Sequence, residues 1–182
     1  MKKTLLVLLA GLFLSTSTFS QENEQNSENQ SFNEVKLNAL YLVLGAFEGS
    51  YEYLLNEESG VGVSLFLPID DDAVDAINYY VSPYYRFYFG NKYAAGFFLE
   101  GFGMLNSIKN DTYYFNNGTD PTFVEENITD FALGIGLGGK WVTARGLTGE
   151  INLGVGRNLF NTKEEYDNDF VGKLGITIGY RF

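Results

Sequence analysis

The last thirteen residues, Phe170 to Phe182, read FVGKLGITIGYRF. Phe170, Leu174, Ile176, Ile178, Tyr180 and Phe182 share one face with Gly172, while Lys173, Gly175, Thr177, Gly179 and Arg181 share the other with Val171. This is period-2 alternation over a full strand, ending on an aromatic residue. A soluble sheet seldom needs so long a strand, whereas a tilted barrel strand needs about 9–11 residues to cross a bilayer. The apolar face would then meet lipid, and the face carrying lysine, arginine, threonine and glycine would meet a barrel interior.

Upstream, the chain divides into seven further candidate strands. They fall near Val35–Leu44, Phe47–Leu55, Gly60–Phe66, Asn78–Phe89, Tyr93–Leu105, Thr129–Val142 and Leu147–Val155. An even number returns both chain ends to one side, and eight is the smallest usual count for a membrane barrel. The connections sort in the same way. Those after strands two, four and six are brief (Asn56–Ser59, Gly90–Lys92, Thr143–Gly146), while those after three, five and seven are long and polar (Leu67–Ile77, Asn106–Ile128, Gly156–Asp169). Short turns at one end and long loops at the other are expected of a barrel with periplasmic and outer faces. The fold expected is therefore all-β, a closed eight-stranded antiparallel transmembrane barrel.

The amino terminus predicts export. Lys2 and Lys3 precede the apolar run Leu5–Leu14, and Thr18-Phe19-Ser20 offers a small-x-small cleavage site before Gln21. Residues 1–20 read as a cleaved signal peptide and 21–33 as a disordered periplasmic lead-in, too polar to repay the entropy of ordering. Residues 34–182 read as the barrel domain. With no cysteine in the 182 residues, neither a disulfide framework nor lipoprotein attachment is available. The formal net charge of −11 makes nucleic acid a poor partner, because phosphate contacts require a basic stripe.

The inward positions carry Glu48, Glu52, Arg86, Glu100, Asp130, Lys140, Glu150, Lys173 and Arg181. Isolated buried charges are costly, so these nine are expected to pair across the lumen or reach water. The open-sandwich alternative makes them a solvent face. Gly134, Gly136, Gly138, Gly154, Gly175 and Gly179 would make room for long side chains from neighbouring strands, which predicts a narrow, filled interior.

Other motifs carry little chemistry. Gly134–Gly139 contains G-x-G-x-x-G, but inside an alternating strand rather than at a strand-to-helix turn. Without histidine or cysteine there is no common zinc site and no catalytic imidazole. No cofactor, resident metal or catalytic residue is expected. Acidic clusters in the long loops (Asp70, Asp71, Asp72 and Asp75; Asp111, Asp120, Glu125 and Glu126; Glu164, Glu165, Asp167 and Asp169) could recruit divalent cations through hard oxygen ligands. A hydrated, self-repelling surface is the plainer reading of the same residues.

Four segments carry a resemblance: Val35-Lys36-Leu37-Asn38, Ser50-Tyr51-Glu52-Tyr53, Phe98-Leu99-Glu100-Gly101 and Gly179-Tyr180-Arg181-Phe182. Over residues 34–182 the chain resembles the small OmpA/OmpX-like outer-membrane barrels, and more narrowly a Bacteroidetes outer-membrane family of unknown function. The resemblance implies location in the cell outer membrane, contact with its lipid, and insertion by the barrel assembly machinery with Phe182 closing the assembly signal. The expected function is a monomeric, non-enzymatic structural or surface-interaction barrel. The alternatives are a narrow passive channel for small solutes and a soluble periplasmic β-barrel or sandwich binding module.

Overall fold

In the computed structural model the structure describes residues 31–69, 77–114, 122–160 and 169–182, with backbone alone over 110–114 and 122–126. Eight strands close into one antiparallel barrel in chain order. They are β1 (Asn33–Asn38), β2 (Ala46–Asn56), β3 (Ser59–Pro68), β4 (Ile77–Tyr88), β5 (Gly96–Tyr114), β6 (Thr122–Val142), β7 (Leu147–Asn158) and β8 (Phe170–Arg181). β8 pairs back onto β1, with Glu34 opposite Arg181 and Asn38 opposite Thr177, so no sandwich edge is left along this seam. The signal-peptide segment and residues 21–30 lie outside the described residues. The last residues of the expected lead-in belong to the sheet: Phe182 N–H donates to the Asn33 carbonyl, and Leu54 N–H to that of Phe32.

Register fixes the barrel's girth. Following partners round the wall, Glu34 leads through Glu52, Gly62, Tyr84, Phe102, Gly134 and Gly156 to Val171. Arg181 faces Glu34, and Val171 lies ten positions earlier in β8, so the circuit returns ten residues displaced along β1. Eight strands with such a stagger tilt by about 35–45° and enclose an interior only wide enough for side chains.

The two faces are inverted relative to a soluble barrel. Ile135 is 73% exposed on the outside, and Val61, Val63, Leu65, Leu99, Leu137, Leu153, Leu174, Ile176 and Ile178 are exposed around it. Inside, Glu34, Lys36, Glu52, Arg86, Lys140 and Glu150 are buried. The G-x-G-x-x-G stretch lies mid-strand in β6, flanked by β5 and β7 along its length, as a dinucleotide turn would not be.

Two expected boundaries are corrected. The first strand stops at Asn38 instead of Leu44, and a five-residue helix, α1 (Ala39–Val43), follows. Asn38 causes the break. Its side-chain oxygen accepts from Leu40 N–H at 3.1 Å, an N-cap that turns the chain out of the sheet despite the β-prone sequence beyond. The helix ends where Leu44 N–H donates to the Leu40 carbonyl and Gly45 takes φ 85°.

The second correction concerns Asn106–Ile128, read as a loop. Here β5 and β6 stay paired from Lys109 opposite Asn127 to Tyr114 opposite Thr122. Pairing with β4 ends at Ile108 and pairing with β7 ends at Ala132, so a two-stranded ribbon continues past the wall. Polar residues end the alternation there, but main-chain pairing does not require an apolar face.

Glycine placement follows interior crowding. A Cβ on Gly138 would lie 2.5 Å from both the Ile151 carbonyl oxygen and the Phe98 ring, whereas one on the outward Gly101 would meet nothing within 4 Å. Gly138→Ala should therefore cost about 1–3 kcal/mol by overpacking. Gly101→Ala should be neutral or slightly stabilising. Urea titration of barrels folded in detergent micelles measures both.

A candidate interior charge network

At mid-height the lumen holds a layer of ion pairs. Glu52 on β2 is its hub, accepting from Lys36 Nζ, from Arg86 Nη1 at 3.1 Å, from Lys140 Nζ at 3.2 Å, and from the Tyr84 and Tyr88 hydroxyls. Glu150 on β7 accepts from Lys36 at 2.6 Å and from Arg86 at 2.9 Å. Glu34 on β1 takes Lys140 at 2.8 Å and Arg181 Nε at 2.7 Å. Glu100 on β5 takes Arg86 Nε and Lys173 Nζ, both at 2.7 Å. Side chains of Glu52 and Lys140 have no exposed surface.

Seven strands supply this layer, and the eighth leaves space for it. On β3 a Cβ at Gly60 would lie 2.6 Å from Glu52 Oε1, and one at Gly62 would lie 2.4 Å from the Tyr84 ring. Rings also face the cations. Arg86 Cζ stands 4.5 Å from the Tyr84 centroid and 4.2 Å from that of Phe98, and Lys140 Nζ 4.3 Å from that of Tyr88. A desolvated contact of this kind contributes about 2 kcal/mol or more.

Apolar layers close the network above and below. Toward the long-loop end lie Phe66, Tyr80, Tyr84, Phe102, Met104 and Val171, with Phe66 stacked on Tyr80 at 4.9 Å. Toward the short-turn end lie Leu54, Tyr88, Ala94 and Phe98. Charges enclosed this way are stable only when opposite charges and donors within the barrel compensate them. A polar cavity of about 20 Å³, lined in part by Glu48, Asn152, Lys173 and Thr177, borders the layer and has room for about one water.

The structure brings together seven of the nine residues singled out from the sequence: Glu52, Arg86, Glu100, Lys140, Glu150, Lys173 and Arg181. Glu48 faces inward but sits apart, accepting from the Asn38 amide. Asp130 lies at the long-loop rim, where its Oδ1 accepts from the backbone N–H of Phe131 at 2.6 Å and of Phe160 at 3.1 Å. It caps the turn out of β7. Sequence reading missed Glu34 and Lys36. The signal was present in Glu34, Lys36 and Asn38 alternating with Val35 and Leu37, but the overlong first strand obscured its two faces.

Glu34, Glu52 and Glu150 place carboxylate oxygens within 4.8 Å of one another, close enough to suit a cation. The Lys36 and Lys140 ammonium groups already lie among them, with Lys36 3.3 Å from Glu34 and Lys140 3.6 Å from Glu150. Of the acidic loop residues, only Asp169 has a described side chain, 3.6 Å from Arg157; the others lie outside the described side chains.

The class defined by this fold is a small closed barrel with a charged core and an apolar exterior. No family model and no curated protein matches the sequence. Among solved structures, the chain is similar to the N-terminal β-barrel domain of Pseudomonas aeruginosa OprF, with a TM-score of 0.50 and 15% identity over 84% of this chain and 98% of that one. It is also similar to Neisserial surface protein A (NspA), with a TM-score of 0.44 and 13% identity over 82% and 94%. The Yersinia pestis outer membrane protein Ail gives a TM-score of 0.39 and 17% identity over 84% and 100%. At these identities the likeness to the OprF domain is one of fold.

Removing one partner from the layer should be costly. Arg86→Met takes one charged donor from each of Glu52, Glu100 and Glu150, which keep only their lysines as cationic partners, and should destabilise the barrel by about 3–5 kcal/mol. Lys173→Met alone should cost more than Lys173→Met combined with Glu100→Gln, since the pair removes both charges. Chemical unfolding of the four proteins, including the parent, in one detergent compares them.

Proposed function

We propose that this chain is a non-enzymatic outer-membrane barrel whose work is structural or lies in surface interaction. The single observation carrying this reading is the inverted barrel, apolar outside and plugged by paired charges inside. Twelve residues of β8 rising about 3.3 Å each at a tilt near 40° give roughly 30 Å of height, enough for an apolar band about 25 Å tall. Trp141 and Tyr180 are exposed near the short-turn end, where aromatic side chains suit the headgroup level.

In this reading the OmpA/OmpX-like resemblance extends to location, lipid is the main surrounding partner, and the barrel works as a monomer. The narrower Bacteroidetes kinship belongs to the same proposal. Phe182 would serve the assembly machinery. Its side chain is exposed, while its backbone N–H and carbonyl are both bonded to Asn33. The β5–β6 ribbon supports surface interaction, because above the rim its edges have no strand beside them among the described residues. Such edges accept an extended peptide by strand addition. The filled lumen counts against a solute channel, and an exterior this apolar counts against a soluble periplasmic module.

Two measurements test the reading. The protein should fractionate with the outer membrane, and the folded barrel should stay silent in planar bilayers. Recovery as a detergent-independent soluble monomer would overturn the location, and steady single-channel currents altered by Arg86 substitution would overturn the structural role. Ile176→Arg should cost roughly 2–4 kcal/mol near the lipid midplane.

A further inference from the structure

The turn between β4 and β5 does not hang below the barrel. Sequence reading places strand five from Tyr93, but β5 begins at Gly96, and residues 93–95 fold across the short-turn mouth. Ala94 has no exposed surface and Ala95 is 3% exposed, values belonging to a core rather than to a turn. Ala94 packs in the apolar layer with Leu54, Tyr88 and Phe98.

The fold holds this segment in a conformation it would not adopt unaided. Ala94 has φ 41°, among the described residues the one non-glycine with positive φ. That region is unfavourable for a residue with a Cβ and persists only where surroundings impose it. Two glycines permit the bend: Gly96 has φ 95°, and a Cβ on Gly90 would stand 2.0 Å from the Ala95 carbonyl oxygen.

Specific bonds fasten it. Ala94 N–H donates to the Glu57 carbonyl of the β2–β3 turn at 2.8 Å. Arg181 Nη1 donates to the Tyr93 carbonyl at 2.8 Å, and Nη2 to the Ala94 carbonyl at 2.9 Å. The same guanidinium holds Glu34 through Nε at 2.7 Å. One planar fork thus joins the end of β8, the start of β1 and the inturned segment, a geometry lysine cannot reproduce.

We infer that residues 93–95 form a stopper seated in the short-turn mouth, able to open without unfolding the wall, and that Arg181 is the positioning residue that seats it. Closed, the stopper keeps water from Leu54, Tyr88 and Phe98 and from the Glu34–Lys140 pair above them. Open, it relieves the Ala94 backbone and wets the lower lumen, while the mid-height ion pairs and the upper aromatic layer still block passage. The inference therefore concerns access from one side, independent of conduction.

Amide hydrogen exchange on the folded full-length barrel in micelles tests it. In the parent, the Ala94 amide should exchange at least about 100-fold slower than an unprotected amide, yet at least about 10-fold faster than the wall amide of Ile151. Exchange at the unprotected rate would show that the segment is not seated, and exchange in step with Ile151 would show that it does not open separately; either overturns the stopper. Arg181→Lys retains a cation for Glu34 but loses the fork. It should accelerate Ala94 exchange by about 10-fold and leave Ile151 unchanged, and Arg181→Met should do so further. Parental protection of Ala94 in the folded lysine variant would overturn the role of Arg181, whether or not the methionine variant folds.

Discussion

The charges of the mid-height layer must find their opposites within the wall, because apolar layers lie on both sides. Glu52 shows how strict that constraint is. Its two carboxylate oxygens serve Lys36, Arg86, Lys140, Tyr84 and Tyr88, which come from β1, β4 and β6. A soluble protein would replace such a layer with leucine and isoleucine at little loss or at a gain. Here the apolar residues face outward, and a barrel of eight strands staggered by ten has a lumen only side chains wide. Long charged residues that reach across the axis and pair can fill it.

The constraint extends to residues that carry no charge. Gly60 and Gly62 lie where β3 would otherwise collide with Glu52 and Tyr84. A Cβ on Gly179 would meet the stem of Lys36 at 2.5 Å and the Val35 carbonyl oxygen at 2.6 Å, so this inward glycine lets β8 close against β1. Interior glycines cost strand stability. Their cost is offset where each admits a cation or ring from the neighbouring strand.

The sequence made legible whatever depends on strict alternation. The β8 pattern, the inward set on β4 and the charges of β6 and β7 follow from period 2 alone. Three features did not. Asn38 ends β1 by a side-chain cap that hydropathy cannot reveal, and the error hid Glu34 and Lys36. The ribbon above the rim pairs through its main chain, and its residues carry no regular apolar alternation in the sequence. The inturned segment depends on positive φ at Ala94, a residue type that gives no warning of it. Which inward charges meet was also beyond alternation, since it depends on stagger. Asp130 shares the inward face yet sits at the rim beside the Phe160 amide.

Some partners of the ionic layer are near in the chain, Lys36 and Glu52 at 16 positions and Arg86 and Glu100 at 14, but others are far apart. Lys140 and Glu34 are 106 positions apart, and Arg181 and Glu34 are 147 apart. Two of the four carboxylates of the layer, Glu34 and Glu100, therefore complete their set of partners only when β8 supplies Arg181 and Lys173. The seam is where the account closes: β8 supplies Lys173 and Arg181 together with the hydrogen bonds that remove the last open edge. Closure of the wall and completion of the ionic layer thus fall to the same strand. A barrel lacking its last strand would have carboxylates short of a cation and an unpaired backbone edge at once.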